Sequence, residues 1–248
     1  MKPETVDLFR EVINHSRPSN SLAEGFVDRV KDVFKGEEPF DMDQWITALH
    51  NKDANAIAHI VESTDVDVNE PVMIGETFIY PLTVVMEDPD LVKLLLKYEA
   101  DPNKGAEDFP EHRPTKPFIE GVYGNHSRSV NIMLSLGADP NLRFSFTGNG
   151  SVDNFPILSL AALKDFTSVM QSLINAGADP IAVDNDGRDA LTYAVFGDSM
   201  GAVRVLKKEK AHLTMGKDKL GKSALNYALE IGYDDIANVI RRGSSVKR

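Results

Sequence analysis

The stretch from Ala176 to Ala194, AGADPIAVDNDGRDALTYA, decides the fold. Gly177 is the residue type that ends a helix in a left-handed conformation, and Asp179-Pro180 then favours a turn. Asp186-Gly187 signals a second turn. Asp189 stands where a helix N-cap needs a side-chain oxygen, directly before Ala190-Leu191-Thr192-Tyr193-Ala194. The pattern recurs. Gly-Ala-Asp-Pro also occupies Gly137–Pro140, and Glu99-Ala100-Asp101-Pro102-Asn103 repeats it with the glycine replaced. Asp186-Gly-Arg-Asp-Ala-Leu191 is matched by Leu220-Gly-Lys-Ser-Ala-Leu225, an offset of 34 residues. A fixed period of this length means that one supersecondary unit is used many times, each copy burying its apolar face on its neighbours.

The repeat resembles the ankyrin repeat, a unit of roughly 33 residues with a β-turn and two helices. Degraded forms of its Thr-Pro-Leu-His-x-Ala signature stand at Tyr80-Pro81-Leu82-Thr83, Lys116-Pro117-Phe118, Leu158–Ala161, Leu191–Ala194 and Leu225–Ala228, with an earlier copy opening at Trp45. The resemblance implies an all-α solenoid of about six stacked helix pairs with hairpin-like interrepeat turns, over residues 39–243. It also implies protein–protein binding without catalysis, at the turn tips and the concave face lined by the first helices, and no cofactor or metal.

Residue chemistry agrees. Three positions after each anchor lie Ala48, Val85, Gly121, Ala161, Ala194 and Ala228, a column small enough for close helix approach. Pro81 and Pro117 suit a first helical turn, where the missing N–H costs little. Second helices read as apolar stripes, for example Val130-Met133-Leu134 and Val169-Leu173-Ile174. The first forty residues do not fit the repeat. Val6, Leu8, Phe9, Val12 and Ile13, then Leu22, Phe26, Val30, Val33 and Phe34, have helical spacing on either side of Arg17-Pro18-Ser19-Asn20. Residues 1–38 therefore read as a helical pair capping the first repeat, as solenoid ends require. Residues 244–248 read as a tail.

The chain has 248 residues and no cysteine, which excludes disulfides and thiolate metal sites. No secretory h-region and no long apolar run is visible, so a cytoplasmic protein is expected, or one delivered to a host cytoplasm as an effector. The net charge of −11 is concentrated in the first half. That disfavours nucleic acid and anionic lipid as partners, and leaves open an acidic regulator that competes for a nucleic-acid-binding surface.

Two motifs imitate chemistry. Gly197-Asp-Ser199-Met-Gly201 matches a serine nucleophile elbow, but it falls between two helices of one repeat rather than after a strand. Asp65-x-Asp67-x-Asn69 suggests a calcium loop, yet Glu70-Pro71 stands where the sharp bend needs glycine. Both read as repeat turns. The histidines have no paired ligand spacing.

The candidate binding residues come from three consecutive enlarged turns. These span Asp65 to Leu82, Glu99 to Phe118 and Gly137 to Leu158, against the shorter Gly177 to Leu191. They carry Met73, Phe78, Tyr80, Phe109, His112, Phe144, Phe146 and Phe155 as expected partner-binding residues. Apolar side chains on a loop either meet a partner or fold back onto the stack, and both readings are open. The expected function is a scaffold that binds one or more proteins and inhibits, sequesters or recruits them. A basic cluster from Arg204 to Lys222 is a second surface.

Overall fold

The computed structural model describes residues 41–75, 77–105, 116–146, 152–209 and 216–242. The proposed cap at 1–38 and the tail at 244–248 lie outside them. The described residues form twelve helices in six pairs, with two small antiparallel hairpins, and divide into two compact units at Ala138 and Asp139.

The first unit contains α1 (Met42–His50), α2 (Ala54–Ser63), the strands β1 (Val72–Ile74) and β2 (Thr77–Ile79), α3 (Pro81–Val84), α4 (Pro89–Lys97), α5 (Pro117–Tyr123) and α6 (Ser127–Ser135). Aspartates start three of its helices. Asp41, Asp53 and Asp88 each accept two main-chain N–H groups in the first turn of α1, α2 and α4, satisfying donors that a helix end leaves orphaned. Pro81 and Pro117 are the first residues of α3 and α5. Trp45, Leu49, Ile57, Leu82, Val92, Leu95, Phe118 and Met133 form the core.

The second unit contains β3 (Arg143–Phe146), β4 (Val152–Pro156), α7 (Ile157–Leu163), α8 (Thr167–Asn175), α9 (Ala190–Phe196), α10 (Met200–Glu209), α11 (Ala224–Ile231) and α12 (Asp234–Arg242). Asp189 caps α9 through the Thr192 N–H at 2.8 Å, and Ser223 forms a capping box with Asn226 at α11. Ala161, Ala194 and Ala228 are fully buried, so the first helices of successive repeats approach closely along them. Lys207 donates from its ammonium to the carbonyls of Val239 and Ile240 near the end of α12, where the helix dipole favours a cation.

A short ladder links successive turns. Asn69 donates to the Glu99 carbonyl at 2.9 Å and accepts from the Asp101 N–H at 2.6 Å. Asn103 donates to Gly137, and Asn141 donates to Gly177 while accepting from Asp179. The carbonyls used belong to residues held at positive φ: 66° at Glu99, 106° at Gly137 and 99° at Gly177. Two glycines and one glutamate therefore do the same conformational work.

Candidate functional site

Two of the enlarged turns are β-hairpins. In the first unit β1 pairs with β2 in the register Val72↔Ile79, Met73↔Phe78 and Ile74↔Thr77, turning at Gly75 with φ 63°. Alternation along β1 sends Val72 into the core and leaves Met73 40% exposed. Phe78 is half-buried, and Tyr80, just past β2, is buried. Burial and the acids Glu70 and Asp101 push the Tyr80 phenol above its ordinary range.

In the second unit β3 pairs with β4 as Arg143↔Pro156 and Phe144↔Phe155, with an irregularity before Phe146↔Val152. Phe155 is 1% exposed. Its ring meets Phe144 edge-on at 5.4 Å and Tyr193 at 4.7 Å, and the edge-to-face series continues through Phe196 to Tyr227. Phe155 thus folds back into the stack, while Phe144 lies half-buried against it. The side chain of Phe146, together with Phe109 and His112, lies outside the described residues.

Beneath the next two turns is a buried polar network. Asp184 accepts from the amides of Asp186 and Arg188 at 2.8 Å and from the Tyr193 hydroxyl at 2.5 Å. Asp218 repeats this with the amides of Leu220 and Lys222 and the Tyr227 hydroxyl. Arg188 pairs with Asp186 at 2.9 Å and approaches Asp218 at 3.7 Å. Burial pushes the Tyr227 phenol up to about 12, assisted by Asp218, and raises Tyr193 further. Burial also works to raise the Asp218 carboxyl, but the hydrogen bonds from Tyr227, Lys222 and Leu220 and the Arg188 charge outweigh it and hold it below the usual range. Asp189, by contrast, is raised by its burial. The aspartates and tyrosines here are satisfied by one another and by main-chain N–H groups of the turns. The buried Arg188 Nε, which has no hydrogen-bond partner among the described residues, faces Asp218 at 3.7 Å as an ion pair, so the network fixes turn shape.

Above that network the turns are apolar. Ile181 is 58%, Val183 41% and Leu220 66% exposed. The turns are neighbours: the Lys219 N–H donates to the Asp186 carbonyl at 2.8 Å, and Arg143 donates to the Val183 carbonyl at 2.7 Å. These three aliphatic residues lie on turns of ordinary length, so turn length does not mark them in the sequence. The sequence does hold one signal. Ile181 takes the place that Asn69, Asn103 and Asn141 occupy in the other Asp-x-Asn turns.

A family model described as ankyrin repeats, in three copies, matches residues 158–248. The chain carries ankyrin repeats over this span. Such repeats generally mediate protein–protein contacts and are generally not catalytic. Among curated proteins, the chain is 34% identical over 83 residues to a transient receptor potential cation channel subfamily A member 1 homolog of Caenorhabditis elegans, covering 34% of this chain and 7% of that protein. It is 32% identical over 93 residues to the neurogenic locus Notch protein of Drosophila melanogaster, covering 38% of this chain and 3% of that protein. The chain thus spans only a small part of these relatives.

Repeat packing accounts for both imitated motifs. Ser199 is 2% exposed and donates to the Leu163 carbonyl of the preceding ankyrin repeat at 3.1 Å. A Cβ on Gly197 would sit 1.9 Å from that same oxygen, and one on Gly201 would meet Asp165 at 2.7 Å. The glycines of Gly-x-Ser-x-Gly are there for close approach between repeats. In the calcium-like loop, Asp67 accepts from the Asn69 N–H at 2.8 Å and Asn69 is spent on the ladder. Among the described residues no group of three or more His, Asp or Glu could hold a metal. None of the described helices is long and apolar enough to cross a membrane.

Proposed function

We propose that this chain is a non-catalytic scaffold of the cytoplasm that binds a protein partner through its interrepeat turns and thereby sequesters or inhibits it. The supporting observation is where large apolar side chains reach solvent. Of the six such residues among those described, Met73, Ile181, Val183 and Leu220 sit on interrepeat turns. Leu136 ends α6 and only Leu229 lies within a helix. Exposed aliphatic residues gathered on one kind of element mark an interaction surface, whereas scattered ones do not.

Met73 and Phe78 are the turn residues offered to a partner by the first unit and Phe144 that offered by the second, while Tyr80 and Phe155 pack beneath their own hairpins. Affinity capture with the full chain from its native cells tests the reading, run beside Met73→Ser and Ile181→Asn with Leu220→Ser. The partner should be recovered by the wild-type chain and lost from a turn variant of unchanged circular dichroism. Recovery of the same proteins by every variant would refute binding through the turns. Addition of the purified chain should lower the captured partner's own activity.

A further inference from the structure

We propose that the turn row of the second unit takes an extended acidic protein segment, one that sets large apolar side chains among carboxylates. This rests on the reading of the turns as the binding surface and names the chemistry of what they bind. Ile181, Val183 and Leu220 supply the apolar centre. Arg143, Lys217 and Lys219 surround it, and all three are exposed.

The sign of the charge left at this surface follows from how its acids are used. Asp184 and Asp218 are buried and hydrogen-bonded to Tyr193 and Tyr227. Asp186 is paired with Arg188. One guanidinium nitrogen of Arg143 donates to the carbonyls of Asn154 and Val183, and among the described residues Arg143 forms no ion pair. Asp179 is exposed and accepts from the Ile181 N–H at 3.0 Å, so one acid stays at the edge of the apolar centre. Among the described residues Lys217 and Lys219 form no ion pair, so with Arg143 they outnumber that acid and the rim is cationic on balance. An acidic partner would be steered to it and held by the aliphatic centre. Single-stranded nucleic acid is a poorer fit, because its bases need aromatic platforms and the centre is aliphatic. Ile181 sharpens the argument. In three other turns the same place holds an asparagine that ties down the next turn. Here an isoleucine stands exposed instead.

The test is selection of a random dodecapeptide library displayed on phage against the immobilised full chain. Recovered sequences should be enriched in Asp and Glu interspersed with Leu, Ile, Phe or Met. Binding of a synthetic consensus peptide should weaken as salt rises. It should fall at least about tenfold in Ile181→Asn with Leu220→Ser. Lys217→Glu with Lys219→Glu should slow its association. Both double variants change only exposed side chains, and a melting curve matching the parent confirms that they fold. Peptides that need Ile181 and Leu220 yet show no acidic enrichment would overturn the acidic partner and leave turn binding standing. Peptides that bind the Ile181/Leu220 variant as well as the parent would overturn both. Failure to enrich any sequence also counts against the proposal.

Discussion

Replacing Gly197 by alanine tests the packing between repeats at a single atom. The backbone there has φ −81° and ψ −5°, which alanine adopts without strain. The added Cβ would lie 1.9 Å from the Leu163 carbonyl oxygen and 2.8 Å from its carbon. Ordinary contact begins near 3.4 Å, so the two backbones must part by about 1.5 Å. That movement also breaks the 3.1 Å bond from the Ser199 hydroxyl to the same carbonyl. Overpacking typically costs about 1–3 kcal/mol and the lost hydrogen bond about 1 kcal/mol. Together they predict a loss of roughly 2–4 kcal/mol, or on the order of 10 °C in melting temperature for a unit of about a hundred residues. Gly121→Ala is the control. Its Cβ would meet Met133 Cε at 2.8 Å, Met86 Sδ at 3.1 Å and Val130 Cγ2 at 3.3 Å. The two tightest contacts are tips of flexible methionines, and alanine regains about 0.5–1 kcal/mol of helix preference. Gly121→Ala should therefore stay within about 1 kcal/mol of the parent. Urea and thermal unfolding followed by far-ultraviolet circular dichroism measure both. A Gly197→Ala protein that melts with the parent, or a Gly121→Ala protein that loses more, would refute the packing argument.

Glu99→Gly should stabilise by up to about 1 kcal/mol, because Glu99 sits at φ 66° where its neighbours use glycine; equilibrium urea titration reads the change. Tyr193→Phe should cost about 1–3 kcal/mol by leaving a buried Asp184 oxygen without its donor, measured as a lowered urea midpoint at unchanged slope. The Asp218 carboxyl titrates lower in the folded chain than unfolded, so its stabilisation is present above the unfolded value and is lost as pH falls through the folded one. The stability gap between the parent and Asp218→Asn should accordingly narrow on acidification, and a gap constant down to acid unfolding would contradict it.

Much of the fold was legible because it depends on neighbours in sequence. Left-handed Gly137 and Gly177, the Asp189 and Ser223 caps, the prolines opening α3 and α5 and the buried small column are local requirements repeated at a fixed period. Repetition multiplies a weak local signal until it specifies the architecture. What the enlarged turns do is another matter. Met73 and Phe155 both read as apolar residues on long turns, yet one is exposed and the other is clamped between Phe144 and Tyr193. Strand pairing and the position of Tyr193, 38 residues further along the chain, decide which face is covered. Leu220 shows the reverse case. Its apolar character is plain in the sequence, but its exposure follows from Asp218 and Gly221 bending the turn outward over a buried tyrosine. Periodicity carries the repeat because helix caps and turns are set within a few residues. Exposure is a property of tertiary neighbours, so which apolar turn residues reach solvent was decided only by the folded structure.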